Sequence, residues 1–310
     1  MRRALAVGLG VLLFLAGYAV GRRPERRNLP GTVLQAPAPA VHVPHPEPER
    51  APAFDPRLTA LPLPELLGER GRTGDENPGR AAALDAELRR RMSEDPEVLD
   101  ALLVRFMAAP DRALAALLGS FRHPRIEAAA LALTETGRAK ASRLIAFEVL
   151  DRLDHLAPEN HAALIERLRT ENDPEVLAEG LYALPHGPSP PELRAASRAL
   201  LRSSAEHVDA QVRVRAALAL GQGPVEDADL PALLGRLADP VPEARATAAA
   251  SLRNYRGGQG EPVRAALAAR MADVAEAAAV RRQAWQTLAQ LPMDPATWAA
   301  WDAYRRATQR

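Results

Sequence analysis

The sequence predicts an all-helical fold, and three observations predict it. Beyond Thr73 the chain is rich in Ala, Leu, Arg and Glu, it carries isoleucine only at Ile126, Ile145 and Ile165, and Pro, Gly or Asp-Pro breaks it every 10 to 17 residues. Strong helix formers with few β-branched residues favour short helices, and the breaks end them. No strand signal competes.

The elements follow in chain order. Residues 4–21 are uncharged and apolar, with Arg2 and Arg3 before them and Arg22, Arg23, Arg26 and Arg27 after. Such a stretch makes a helix of about 27 Å, enough to cross a bilayer core. We expect residues 1–23 to be a transmembrane anchor. The rival is a signal peptide cut after Ala19, which the four following arginines oppose. Counting flanking charges would keep the C-terminal bulk in the cytoplasm; a short basic N-terminus that stays inside favours the opposite orientation, the one expected here. From Pro24 to Pro64 there are 11 prolines, so 24–72 is expected to be a linker of extended polyproline character, in which His42 and His45 make a poor metal site. Residues 73–310 are expected to form the helical domain, with helices near 80–91, 96–108, 111–119, 124–137, 139–156, 159–170, 174–184, 191–203, 209–221, 227–238, 241–255, 261–271, 275–291 and 295–307.

Composition excludes several chemistries. There is no cysteine, and Lys140 is the single lysine among 40 basic residues, outside any phosphate-loop motif. The chain carries 40 basic and 39 acidic residues, of which 10 and 6 precede residue 73, leaving 30 against 33 and a charge of −3 for the domain. Nucleic-acid binders carry a basic surface, so no nucleic-acid partner is expected.

A helix pattern then recurs. Val212-Arg213, Ala216-Ala217 and Leu220-Gly221 stand at offsets 0, 1, 4, 5, 8 and 9; Ala244-Arg245, Ala248-Ala249 and Leu252 follow the same frame, as do Val280-Arg281, Ala284-Trp285 and Leu288. Copies without the arginine start at 176, 98 and, more weakly, 126, so the intervals are 28, 50, 36, 32 and 36 residues, the longest with room for an extra helix. Offsets 0, 4 and 8 fall on one buried stripe. Asp95, Asp173, Asp209, Asp239 and Asp273 precede copies and suit the capping position.

On these residues the chain resembles the HEAT-repeat family, above all its short bacterial form. Asp239-Pro240, Glu243, Arg245, Ala248, Ala249 and Leu252 make one good match, and Asp209 through Gly221 another; the resemblance spans about 95–291 and is strong over 205–291. It implies a right-handed α-solenoid of about six helix pairs, and a binding scaffold rather than an enzyme. It also implies a structural ladder pairing Arg213, Arg245 and Arg281 with Asp209, Asp239 and Asp273, the alternative being a row of anion-binding arginines.

Offsets 2 and 6 lie opposite the buried stripe. Val104, Tyr182, Val214, Leu218, Arg282 and Gln286 are therefore the candidate binding residues of a concave face, unless the helices bearing them are sandwiched. Trp285, Trp298 and Trp301 all lie in the last 30 residues, where Trp298, Trp301 and Tyr304 are expected to cap the final helix pair. Asp151 and His155, four apart, with Asp154 and His161, are the best acid–base or metal candidates, and a solvated helix end is the plainer reading. No catalytic residue, cofactor or metal is assigned. Arginine in place of lysine, with abundant alanine, suggests a GC-rich bacterial genome. The expectation is a non-catalytic protein-binding scaffold on the bacterial inner membrane, facing the periplasm, with an unknown protein partner; the alternatives are a bilin-lyase-like or DNA-glycosylase-like enzyme and a structural spacer.

Overall fold

The computed structural model describes residues 55–73, 77–153, 155–258 and 260–308. The chain divides between Arg50 and Ala51, and only the second unit is described here. The apolar segment 4–21, the proline tract to residue 54 and Asp154 lie outside the described residues. Among the described residues no helix is long and apolar enough to cross a membrane.

Among the described residues this unit is all-helical, with one isolated bridge between Val225 and Tyr255. Its helices are α1 (Pro56–Thr59), α2 (Leu63–Arg72), α3 (Pro78–Glu94), α4 (Pro96–Ala108), α5 (Arg112–Gly119), α6 (Pro124–Leu133), α7 (Lys140–Leu153) and α8 (Pro158–Arg169). There follow α9 (Pro174–Tyr182), α10 (Pro191–Ser204), α11 (Ala210–Leu220), α12 (Leu230–Arg236), α13 (Pro242–Ser251), α14 (Gly260–Ala272), α15 (Ala278–Leu288) and α16 (Pro295–Thr308). Asp95, Asp173 and Asp209 cap α4, α9 and α11 through their side chains, so the turn aspartates satisfy free N–H groups as expected. Asp239 and Asp273 bind backbone N–H groups of their turns, while Val241 and Ala277 hold the cap positions of α13 and α15.

The expected linker is too long. Residues 56–59 and 63–72 are helical, and Leu58 and Leu66 are buried in the core. Arg91 Nη2 donates to the carbonyls of Leu58, Thr59 and Leu61 at 2.9, 3.1 and 2.8 Å. Pro56, Pro62 and Pro64, three of the eleven prolines of that tract, stand at the starts of these helices, where a missing N–H costs nothing.

Most helices pack against one sequence neighbour and against the next helix but one. One row runs α5, α7, α9, α11, α13, α15; a second contains α4, α6, α8 and α10, and α14 packs on α16. The copies at 176, 212, 244 and 280 begin helices of the first row, but those at 98 and 126 lie in the second. The 50-residue interval holds two helices, α7 and α8, where the later intervals hold one, so the copies pass from the second row to the first. The first-row copy missed in the sequence is α7: Arg143, Ala146, Phe147 and Leu150 occupy offsets 1, 4, 5 and 8, with Ser142 in place of valine. Row positions then start at 142, 176, 212, 244 and 280, with intervals of 34, 36, 32 and 36 residues.

Candidate functional site

The arginine ladder is present, with a different rung. Arg213 donates through Nε and Nη2 to Asp239 at 2.7 and 2.9 Å, and through Nη1 to the carbonyls of His207 and Val208 at 3.0 and 2.8 Å. Arg245 repeats the arrangement on Glu276 at 2.8 and 2.6 Å, and on the carbonyls of Asp239 and Pro240 at 2.7 and 3.1 Å. Each guanidinium thus fastens the turn before its own helix to the acid preceding the next helix of the row. The expected partner within each repeat, Asp209 for Arg213, caps α11 instead; Asp273 accepts from the Ala275 N–H at 2.9 Å and Glu276 takes the guanidinium. Arg143 forms the equivalent rung with Glu171, which sequence reasoning missed because Ser142 disguised the frame. At α9 the arginine position is Leu177, and the tie to α11 comes from Arg215 Nη2 to Glu179 at 2.6 Å.

Bidentate guanidinium–carboxylate pairs are the strong form of this contact. Arg213 holds the Asp239 carboxyl below its ordinary value, against burial, and Arg245 does the same for Glu276. Their side chains are only 10 and 15% exposed, so these arginines do not form an anion-binding row. Among the described residues Arg281 has no acidic partner: its Nε donates to the Met271 carbonyl at 3.1 Å and its guanidinium lies 5.1 Å from the Tyr304 ring centre. The terminal helix substitutes a π face for the missing carboxylate. Trp301 stacks on Trp285 at 5.2 Å and donates to its carbonyl at 3.0 Å. Trp298, expected in the same cap, is 54% exposed.

The six residues expected on one concave face do not share one. Val214 and Leu218 are buried, because α11 is enclosed by α9, α10 and α13. Tyr182 is half-buried beneath Arg215, whose guanidinium lies 5.1 Å from its ring centre, and burial pushes its phenol up to about 12. Arg282 and Gln286 are exposed on α15. Val104 is 71% exposed but sits on α4, in the other row. There an open groove of about 680 Å³ runs between α4 and α6, lined by Asp100, Leu103, Val104, Met107, Ala108, Arg125 and Arg138.

The histidine candidates resolve into structural contacts. Helix α7 ends at Leu153, so His155 does not share a helix face with Asp151; its Nδ1 lies 3.2 Å from the Pro188 carbonyl. His161 is buried, with Nδ1 3.0 Å from Ser189 Oγ and Nε2 2.8 Å from Ser197 Oγ. A neutral imidazole has one donor and one acceptor, and hydroxyls serve both. Burial, then the neighbouring His155, lowers the pKa of His161. The pair of serines ties α8 to the loop after α9 and to α10. Among the described residues no group of three His, Asp or Glu side chains is placed to hold a metal ion.

No protein-family model matches the chain, and comparison with curated proteins finds no match.

Proposed function

We propose that this chain is a membrane-tethered, HEAT-like α-solenoid that serves as a non-catalytic scaffold for another protein. The observation that carries the reading is the repeated rung Arg143–Glu171, Arg213–Asp239 and Arg245–Glu276, which joins successive helices of one row in the same way. Nearest-neighbour ties of this kind belong to stacked repeats, where each unit is stabilised by the next. The apolar segment 4–21 supports the tether and the proline-rich stretch after it supports a spacer. Confinement near a bilayer raises effective concentration, so a weak surface suffices for capture. The helical unit faces the periplasm of a bacterial inner membrane.

The test is affinity isolation of the full chain from detergent-solubilised membranes. A stoichiometric protein partner is the expected result. A coloured or nucleic-acid ligand in its place would favour an enzyme, and nothing bound would favour a spacer. Any shortened version should begin at Ala51 rather than Thr73, because Leu58 and Leu66 belong to the core.

A further inference from the structure

We propose that the groove between α4 and α6 docks a partner-protein segment that presents an apolar side chain flanked by carboxylates. The proposal rests on the scaffold reading and names the surface and the chemistry of its partner.

The groove joins two features. Its floor is apolar: Leu103 and Met107 lie against the core, and Val104, 71% exposed, is among the few large apolar side chains left to solvent in the described residues. Ala101, Val104 and Ala108 are all exposed and stand three and four apart along α4, so they form one stripe against which a helical or extended segment can lie. Its rim is basic. Arg125 is paired with Asp100, which cancels the one acid in the lining. Arg138 is exposed and has no acidic partner among the described residues. Elsewhere the buried arginines of the helix rows are spent on Glu171, Asp239 and Glu276. The net positive rim around an apolar floor selects an acidic, apolar segment and repels a basic one. A phosphate backbone would gain little from a groove offering one uncommitted cation.

The experiment uses the full chain in detergent micelles and two fluorescent helical peptides with identical leucine positions, one flanked by glutamates and one by lysines. Anisotropy should show the glutamate peptide bound in preference. Val104→Glu should weaken it by about tenfold or more, and Arg138→Glu should weaken it while improving the lysine peptide. Both positions are exposed, so helicity by circular dichroism should match the parent. Equal affinity for the two peptides, no binding of either, or indifference to both substitutions overturns the proposal. In cells, a photocrosslinking residue at position 104 is compared with one at position 286. An adduct at 104 mapping to an acid-flanked apolar segment of another protein supports the proposal. Protein adducts at 286 alone overturn the groove but leave the scaffold reading standing, and a second copy of this chain at 104 overturns the choice of partner. No adduct at either position removes both.

Discussion

Replacing Arg213 with methionine tests the energetic logic of the ladder. Asp239 has a fully buried side chain and accepts from Arg213 twice, from Arg236 at 3.0 Å and from the Val241 N–H at 2.9 Å. Methionine preserves most of the packing volume but strands the carboxylate with one cation. Breaking a buried pair in this way costs about 3–5 kcal/mol, and Arg236 keeps the value near the lower end. Asp239→Asn in the same background removes the stranded charge, so the double variant should recover part of the loss, with a coupling of roughly 1–3 kcal/mol. The pH dependence has a definite sign. In the parent the Asp239 carboxyl titrates below its ordinary 3.8, so its stabilisation is present above that value and is lost as pH falls through the lowered folded pKa. Without Arg213, burial raises the folded pKa, the folded state binds the proton more readily than the unfolded one, and the penalty shrinks on acidification toward pH 4. Urea unfolding from pH 7 to 4 gives the magnitude, and hydrogen exchange should localise the loss to α11–α13. A cost below about 1 kcal/mol that does not change with pH would refute the reasoning.

Three further outcomes are expected. His161 has a depressed folded pKa, so between that value and the ordinary 6.5 the unfolded chain holds more protons; stability should therefore fall as pH drops below about 6.5, and His161→Gln should flatten that slope in urea titrations at pH 7.5 and 5.5, an unchanged slope counting against the buried latch. Gly221→Ala places a methyl 2.6 Å from the Ser251 Cα and should cost about 1–3 kcal/mol by overpacking, whereas Gly223→Ala, with nothing within 4 Å, should be nearly neutral by the same denaturation assay. Trp301→Ala removes the stack on Trp285 and should cost more than Trp298→Ala, whose ring is 54% exposed, a ranking that thermal melts can reverse.

Helix identity was legible because alanine, leucine and arginine runs ended at capping aspartates and prolines, and every helix expected from residue 80 onward forms. The beginning was misread: Pro56, Pro62 and Pro64 signal extended chain by composition, yet they stand at the starts of α1 and α2. Row membership was not legible, since α4 and α7 both carry buried stripes and the rows are set by which helices pack on one another. The ladder's residue types were visible, but its direction depends on which acid the fold brings within reach, 26 residues ahead for Arg213 and 31 for Arg245. Offsets 2 and 6 of α11 leave a free face and a sandwiched one both open in the sequence, because periodicity describes one helix and says nothing of the neighbours on either side. Val104 alone among the apolar candidates is open to solvent.

The central claim is that a helical scaffold is held to the membrane by residues 4–21 and projects outward. Alkaline phosphatase fused after Arg310 tests it most directly, assayed in membranes washed at alkaline pH. The account predicts an active fusion that stays with the bilayer and retains Met1. Release of an active chain beginning at Val20 would replace the anchor with a cleaved signal, and an inactive membrane-bound fusion would place the helices in the cytoplasm, contradicting the account.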